Sequence, residues 1–212
     1  MSGPTATPPP LSTIQDPRKQ LEQRLALAGP QDTCRGIFFN GVLDAVRALA
    51  GAEIEARCRE AAGQRRFIDF FSYPVSGFIK MSLTVVELLT PRLGGSWQVL
   101  RWMGEQSTES FVNTVAGKTA LALAGTNVKK LISHLPTSYK ASLSYGERTV
   151  TWTGERSGVF IFKRDFMPPA YHEGVIAKAV EKATARNVQV RGRDTSALDT
   201  EYVLTWDEGP GL

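Results

Sequence analysis

The sequence of 212 residues is short of metal and redox ligands: two cysteines, Cys34 and Cys58, and two histidines, His134 and His172. So few ligands, so widely scattered, do not make a Cys/His zinc site, a CxxC redox pair or a disulfide framework. No run of about 18 apolar residues occurs, so no membrane span is expected. The N-terminus, Met-Ser-Gly-Pro-Thr-Ala-Thr-Pro-Pro-Pro, has neither the basic start nor the apolar core of a signal peptide, and Ser2 stands where myristoylation needs glycine. The expected location is cytoplasmic, where unpaired thiols stay reduced. An excess of one charge sign is also missing: 25 Lys and Arg against 21 Asp and Glu leave a net charge of +4, short of a dedicated nucleic-acid binder, so no nucleic-acid partner is expected.

What is present is an ordinary globular composition, 42% hydrophobic and 22% charged, which excludes collagen, coiled coil and wholesale disorder. Residues 1–13, with Pro4, Pro8, Pro9 and Pro10, cannot bury enough apolar surface to offset their ordering entropy and read as a flexible tail; 208–212 reads as a flexible C-terminus. Between them, 14–207 reads as a single α+β binding domain. Asp16-Pro17 starts a helix that Gly29-Pro30 stops. A buried helix is expected over 36–46, a polar one over 52–62, an extended segment over Phe67–Pro74, and a core helix over 75–89 that ends at Thr90-Pro91. Ser96 caps a long helix through about 117, followed by an Ala/Leu-rich stretch and a short helix at 127–134. The period then changes to two: strands are expected from Lys140 to Tyr145, Thr149 to Thr153 and Val159 to Lys163. Pro168-Pro169 opens one more helix, and strands follow at 187–192 and 201–206. The fold class is therefore α+β, a helical N-terminal part packed on a mostly antiparallel sheet with one crossing helix.

Catalytic motifs are scarce. Ala116-Gly117-Lys118-Thr119 looks like the end of a phosphate loop, but Val112 stands where the first glycine belongs and the segment lies in a helical pattern. No G-x-G-x-x-G opens a helix after a strand, and no G-x-S-x-G elbow occurs. Cys34 and Cys58 read as inert, small apolar or surface groups. Tyr171-His172-Glu173 lies near a helix start, and a partly exposed surface histidine is the expected reading there.

The order of Arg35-Gly36-Ile37-Phe38-Phe39-Asn40-Gly41, Phe70-Phe71-Ser72-Tyr73-Pro74, Glu87-Leu88-Leu89, Pro136-Thr137-Ser138-Tyr139 with Tyr145-Gly146, and Leu204-Thr205-Trp206 resembles a paralogous myxobacterial family of unknown function, over about residues 18–207. More distantly it is similar to the superfamily that joins the haem-nitric-oxide-binding domains to the vinyl-reductase-type ligand-binding domains. That resemblance implies a cavity between sheet and helices, a binding module rather than an enzyme, and a possible homodimer through the helices. Haem in that superfamily rests on a helix histidine and a Tyr-x-Ser-x-Arg strand motif, which meet the needs for an axial imidazole and for propionate pairing. Here the strand position reads Trp152-Thr153-Gly154-Glu155-Arg156, which keeps only Arg156 of the three. The histidine position falls near Tyr139 or Val128, depending on the alignment, and His134 matches neither.

The resulting expectation is a non-enzymatic sensory or regulatory module for a hydrophobic or anionic small molecule, with no cofactor: haem is disfavoured. Its candidate ligand-binding residues are Phe38, Phe39, Phe70, Phe71, Phe78, Trp152 and Phe160 as pocket wall, and Arg156 as anion contact. Aromatic residues of this kind equally fill a dry core. The alternative is a dimerising protein-interaction adaptor without a ligand.

Overall fold

A computed structural model describes residues 16–183 and 185–207, so the expected flexible segments 1–13 and 208–212 lie outside the described residues. Helix α1 (Pro17–Leu27) begins at Asp16, whose carboxylate accepts a hydrogen bond from the Arg18 N–H at 3.0 Å. This satisfies one of the donors a helix start leaves open, and Pro17 occupies a first-turn position where no donor is lost. Strands β1 (Thr33–Arg35) and β2 (Ser72–Pro74) pair antiparallel and bracket in sequence the helices α2 (Gly36–Ala50) and α3 (Ala52–Ala61). Helices α4 (Val75–Leu93), α5 (Ser96–Val112), α6 (Val115–Ala124), α7 (Val128–Ser133) and α8 (Leu135–Ser142) follow.

The C-terminal part alternates in twos. Strands β3 (Glu147–Gly154), β4 (Ser157–Lys163), β5 (Arg186–Asp194) and β6 (Thr200–Asp207) form one antiparallel sheet in the order β3-β4-β6-β5, with helix α9 (Pro169–Lys182) between β4 and β5 in the chain. Successive strand side chains point to opposite faces. Phe160, Phe162, Tyr202 and Leu204 are therefore buried, while Ile161 and Val203, on the other face, are exposed.

Two apolar clusters result. One gathers the inward faces of α2, α4 and α5 with Leu21 and Cys58; the other joins the sheet to α9 and to Val128, Leu131 and Ile132 of α7. Helices α5 and α9 cross between them at very close approach. A Cβ at Gly104 would lie 1.9 Å from the Tyr171 carbonyl oxygen, and one at Gly174 would lie 2.0 Å from that of Arg101, so only glycine lets the two backbones meet.

Several expectations are corrected. Residues 140–142, read as a strand, close α8, which Pro136 opens; the Leu143 N–H still donates to the Tyr139 carbonyl at 2.8 Å. Three alternating apolar residues fit the end of a helix as well as a short strand. The long helix from Ser96 stops at Val112, and Thr114 caps α6 by accepting from the Gly117 N–H. Gly95, not Ser96, is the cap of α5. Helix α4 passes Pro91 and ends at Gly94, whose φ of 90° only glycine adopts readily. Of the extended Phe67–Pro74 segment, Ser72–Pro74 alone is strand.

Candidate functional site

Arg148 stands on β3 at a position whose side chain points inward with those of Val150 and Trp152, directly across from Phe162 of β4. A charge at an inward strand position needs a partner. Asp165 supplies it from the loop between β4 and α9, in a buried ion pair with the Arg148 guanidinium. The other Asp165 oxygen meets Nε2 of His172 at 2.8 Å and accepts from the Met167 N–H at 2.9 Å. His172, in the first turn of α9, turns its Nδ1 to the Tyr139 hydroxyl of α8 at 3.0 Å. From the helical side Arg24 donates to the carbonyls of Asp165 and Met167 at 3.0 and 2.6 Å. The loop is thus fixed from both layers.

Burial alone would push the Asp165 carboxyl up, but His172, the Arg148 charge and the hydrogen bonds more than offset it and hold the carboxyl far below the ordinary carboxylate range. Burial, and the negative Asp165 nearby, push the hydroxyls of Tyr139 and Tyr145 well above their usual range. Burial raises the thiol of Cys34 in the same sense. These groups stay protonated at neutral pH.

Beside this network, at the seam between the two apolar clusters, the side chains leave a cavity of about 70 Å³ open to the centre of a water-sized molecule. One water needs only roughly 10–15 Å³ on that measure. Its wall takes Phe38 from α2, Phe78 from α4, Ser107, Thr108 and Phe111 from α5, Tyr139 and Ser142 from α8, and His172, Val175 and Ala179 from α9. Cys34 of β1, Leu143 and Tyr145 beyond α8, and Met167 of the β4–α9 loop also line it.

The cavity takes two of the expected wall residues, Phe38 and Phe78. Phe39 is buried one layer away, stacked on Phe67 with ring centroids 4.2 Å apart. Phe160 lies in the sheet cluster, and Trp152 packs against Trp206 under Lys129. Phe70 and Phe71 are 70% and 50% exposed and do not line the cavity. Arg156 is exposed on the β3–β4 turn and is not part of the wall. His172, expected on the surface, is 2% exposed, and Cys58 is fully buried.

The residues missed by sequence reasoning are Asp165, Arg148, Tyr139 and Tyr145. One signal was available: Arg148 interrupts the inward face of an amphipathic strand, which calls for a buried counter-charge.

This arrangement of helices over a four-stranded antiparallel sheet is the α+β fold of the H-NOX proteins. The chain matches an H-NOX protein from S. oneidensis in its Fe(II)NO ligation state with a TM-score of 0.66 and 14% identity, over 82% of this chain and 99% of that one. It matches the Fe(II) unliganded H-NOX protein from K. algicida with a TM-score of 0.62 and 13% identity, over 84% and 99% of the two chains. By sequence it belongs to the family described as "Protein of unknown function (DUF2378)", whose model matches residues 27–207. No curated protein matches the sequence significantly. Among the described residues no helix is long and apolar enough to cross a membrane.

Proposed function

We propose that this chain is a non-enzymatic small-molecule-binding module with a sensory or regulatory role, and that its ligand occupies the cavity between α5, α8 and α9 without haem. The observation that carries this reading is the cavity itself, a small apolar space with a few polar groups at the junction of two layers, a lining of the kind that small-molecule sites have.

The relatives in structure are described in Fe(II) states, so haem is the group to test against these residues. Haem needs an axial donor and partners for two propionates. The one histidine in the cavity wall, His172, has Nε2 engaged by Asp165 and Nδ1 by Tyr139. His134 is exposed at the end of α7 and does not line the cavity. The Cys34 thiol is pushed up by burial, so it does not present a thiolate. Among the described residues no arginine or lysine lines the wall, and Arg148 is committed to Asp165 and to the Tyr145 carbonyl. These residues do not fit haem.

The same features favour binding over catalysis. The Tyr139 and Tyr145 hydroxyls and the Cys34 thiol are held in their protonated forms, so none is an activated nucleophile.

Native mass spectrometry of the gently purified protein tests the reading. A bound small-molecule mass that is lost on denaturation, with no Soret band on haem titration, is the expected result. A stoichiometric Soret band overturns the haem-free reading. A dimer that captures no molecule favours the adaptor instead.

A further inference from the structure

The cavity wall is defined as much by the charge it lacks as by its apolar groups. Among the described residues no Asp, Glu, Lys or Arg lines it. Its one basic group, His172, has both ring nitrogens engaged within the protein. An ion entering this space would lose its hydration and gain no counter-charge, a cost of several kcal/mol at the least.

The wall does carry hydroxyls, and most of them are satisfied internally. Tyr171 donates to Ser107 at 2.8 Å, Thr108 to the Gly104 carbonyl at 3.0 Å, and Ser138 to the His134 carbonyl at 3.2 Å. Tyr139 is held by His172. Two remain: neither the Tyr145 hydroxyl nor that of Ser142 has a hydrogen-bond partner among the described residues. Tyr145 is 7% exposed, and a hydroxyl without a protein partner at the cavity is a ready hydrogen-bond partner for an occupant. Ser142 ends α8 and Tyr145 lies on the short stretch that leaves it, which is pinned to β1 by the Ser144 N–H donating to the Thr33 carbonyl at 3.0 Å and by the Cys34–Leu143 bridge. The open hydroxyls are therefore carried by a fixed segment.

Size narrows the occupant. The 70 Å³ of the cavity is roughly half of the 150 Å³ in which an apolar protein cavity takes benzene, which suits about three to five heavy atoms.

Resting on the ligand-module reading above, we propose that the cavity takes the end of an uncharged molecule. That end is a short apolar group carrying one hydroxyl or carbonyl, whose oxygen is hydrogen-bonded by Tyr145, with Ser142 as a second polar contact. The wall excludes carboxylates and ammonium ions of the same shape.

Ligand-detected NMR titrations of the whole chain with 1-butanol, butyrate and butylammonium test this. Saturable binding of 1-butanol alone is expected, weakened about tenfold in Tyr145→Phe, as the loss of one hydrogen bond of about 1.4 kcal/mol implies. Ser142→Ala, at a half-buried position, is the second variant and weakens 1-butanol by a smaller factor, so the proposal stays testable if Tyr145→Phe does not fold. Equal binding of butyrate or butylammonium overturns the uncharged class and leaves the ligand-module reading standing. So does failure of all three probes in a protein that captures another molecule in native mass spectrometry. Failure of all three with nothing captured overturns both. Unchanged 1-butanol affinity in both variants overturns the assignment of the polar end.

Discussion

Nε2 of His172 lies 2.8 Å from Oδ1 of Asp165, and this one contact joins the start of α9 to the loop that enters it from β4. The second oxygen of Asp165 pairs with Arg148 of β3, so one buried carboxylate ties strand, loop and helix together beneath the cavity wall.

Removing that carboxylate leaves the Arg148 guanidinium buried and unpaired. Asp165→Ala is therefore expected to lose about 3–5 kcal/mol of stability in urea denaturation. The double variant Asp165→Ala, Arg148→Met recovers part of the loss, because the uncompensated charge is gone. Strictly additive losses would show that the two residues do not act as a pair.

Glu173 is buried against β5, with one oxygen accepting from the Gly192 N–H at 2.7 Å and the other without a partner. Burial pushes its carboxyl up to about 7, against the partial opposing effect of the Gly192 hydrogen bond and of Arg191 and Arg101. Below its ordinary value of 4.5 the group is protonated in both the folded and the unfolded chain. As pH rises from 4.5 to about 7 the unfolded chain ionises first, so this group's contribution to stability falls over that interval and levels off above it. Glu173→Gln is expected to remove this slope, matching the parent at acid pH and exceeding it above neutrality. A parallel pH profile in denaturant titrations would contradict the assignment.

The crossing of α5 and α9 leaves no room for a side chain at Gly104. Gly104→Ala forces backbone against backbone and is expected to cost about 1–3 kcal/mol or more. Thermal melting reads this directly, and an unchanged midpoint would mean that the helices separate at little cost.

Both cysteines are buried, and burial holds the Cys58 thiol at about 11. A bulky aromatic disulfide reagent, too large for the cavity that Cys34 lines, should therefore label neither in the folded protein and both after denaturation. Fast labelling of the native protein would contradict the burial of β1 and α3.

Much of the frame was legible in the sequence because caps and periods are local. Asp16-Pro17 opens α1, Pro168-Pro169 opens α9, and alternation marks β3, β4, β5 and β6. The last residues of α8 and the three after it alternate like a strand, which hides the end of that helix, and a helical period that continues across Asn113 and Thr114 hides the break between α5 and α6. Only part of the site could be read. Phe38 and Phe78 line the cavity, but the apolar, aromatic character that marks them is shared by Phe70 and Phe71, which face solvent. Tyr139, Arg148, Asp165 and His172 come from α8, β3, a loop and α9, and only the folded chain brings them together. An isolated histidine in the sequence carries no sign that a carboxylate and a phenol will enclose it.

Met167 lines the cavity, whereas Met81 and Met103 are buried in the helical cluster away from it. Methyl-labelled methionine NMR during a 1-butanol titration thus reports most directly on whether this space receives a ligand. A saturable shift of the Met167 resonance, with Met81 and Met103 nearly still, is the predicted result. No shift at Met167, or equal shifts at all three, would contradict a ligand site in the cavity.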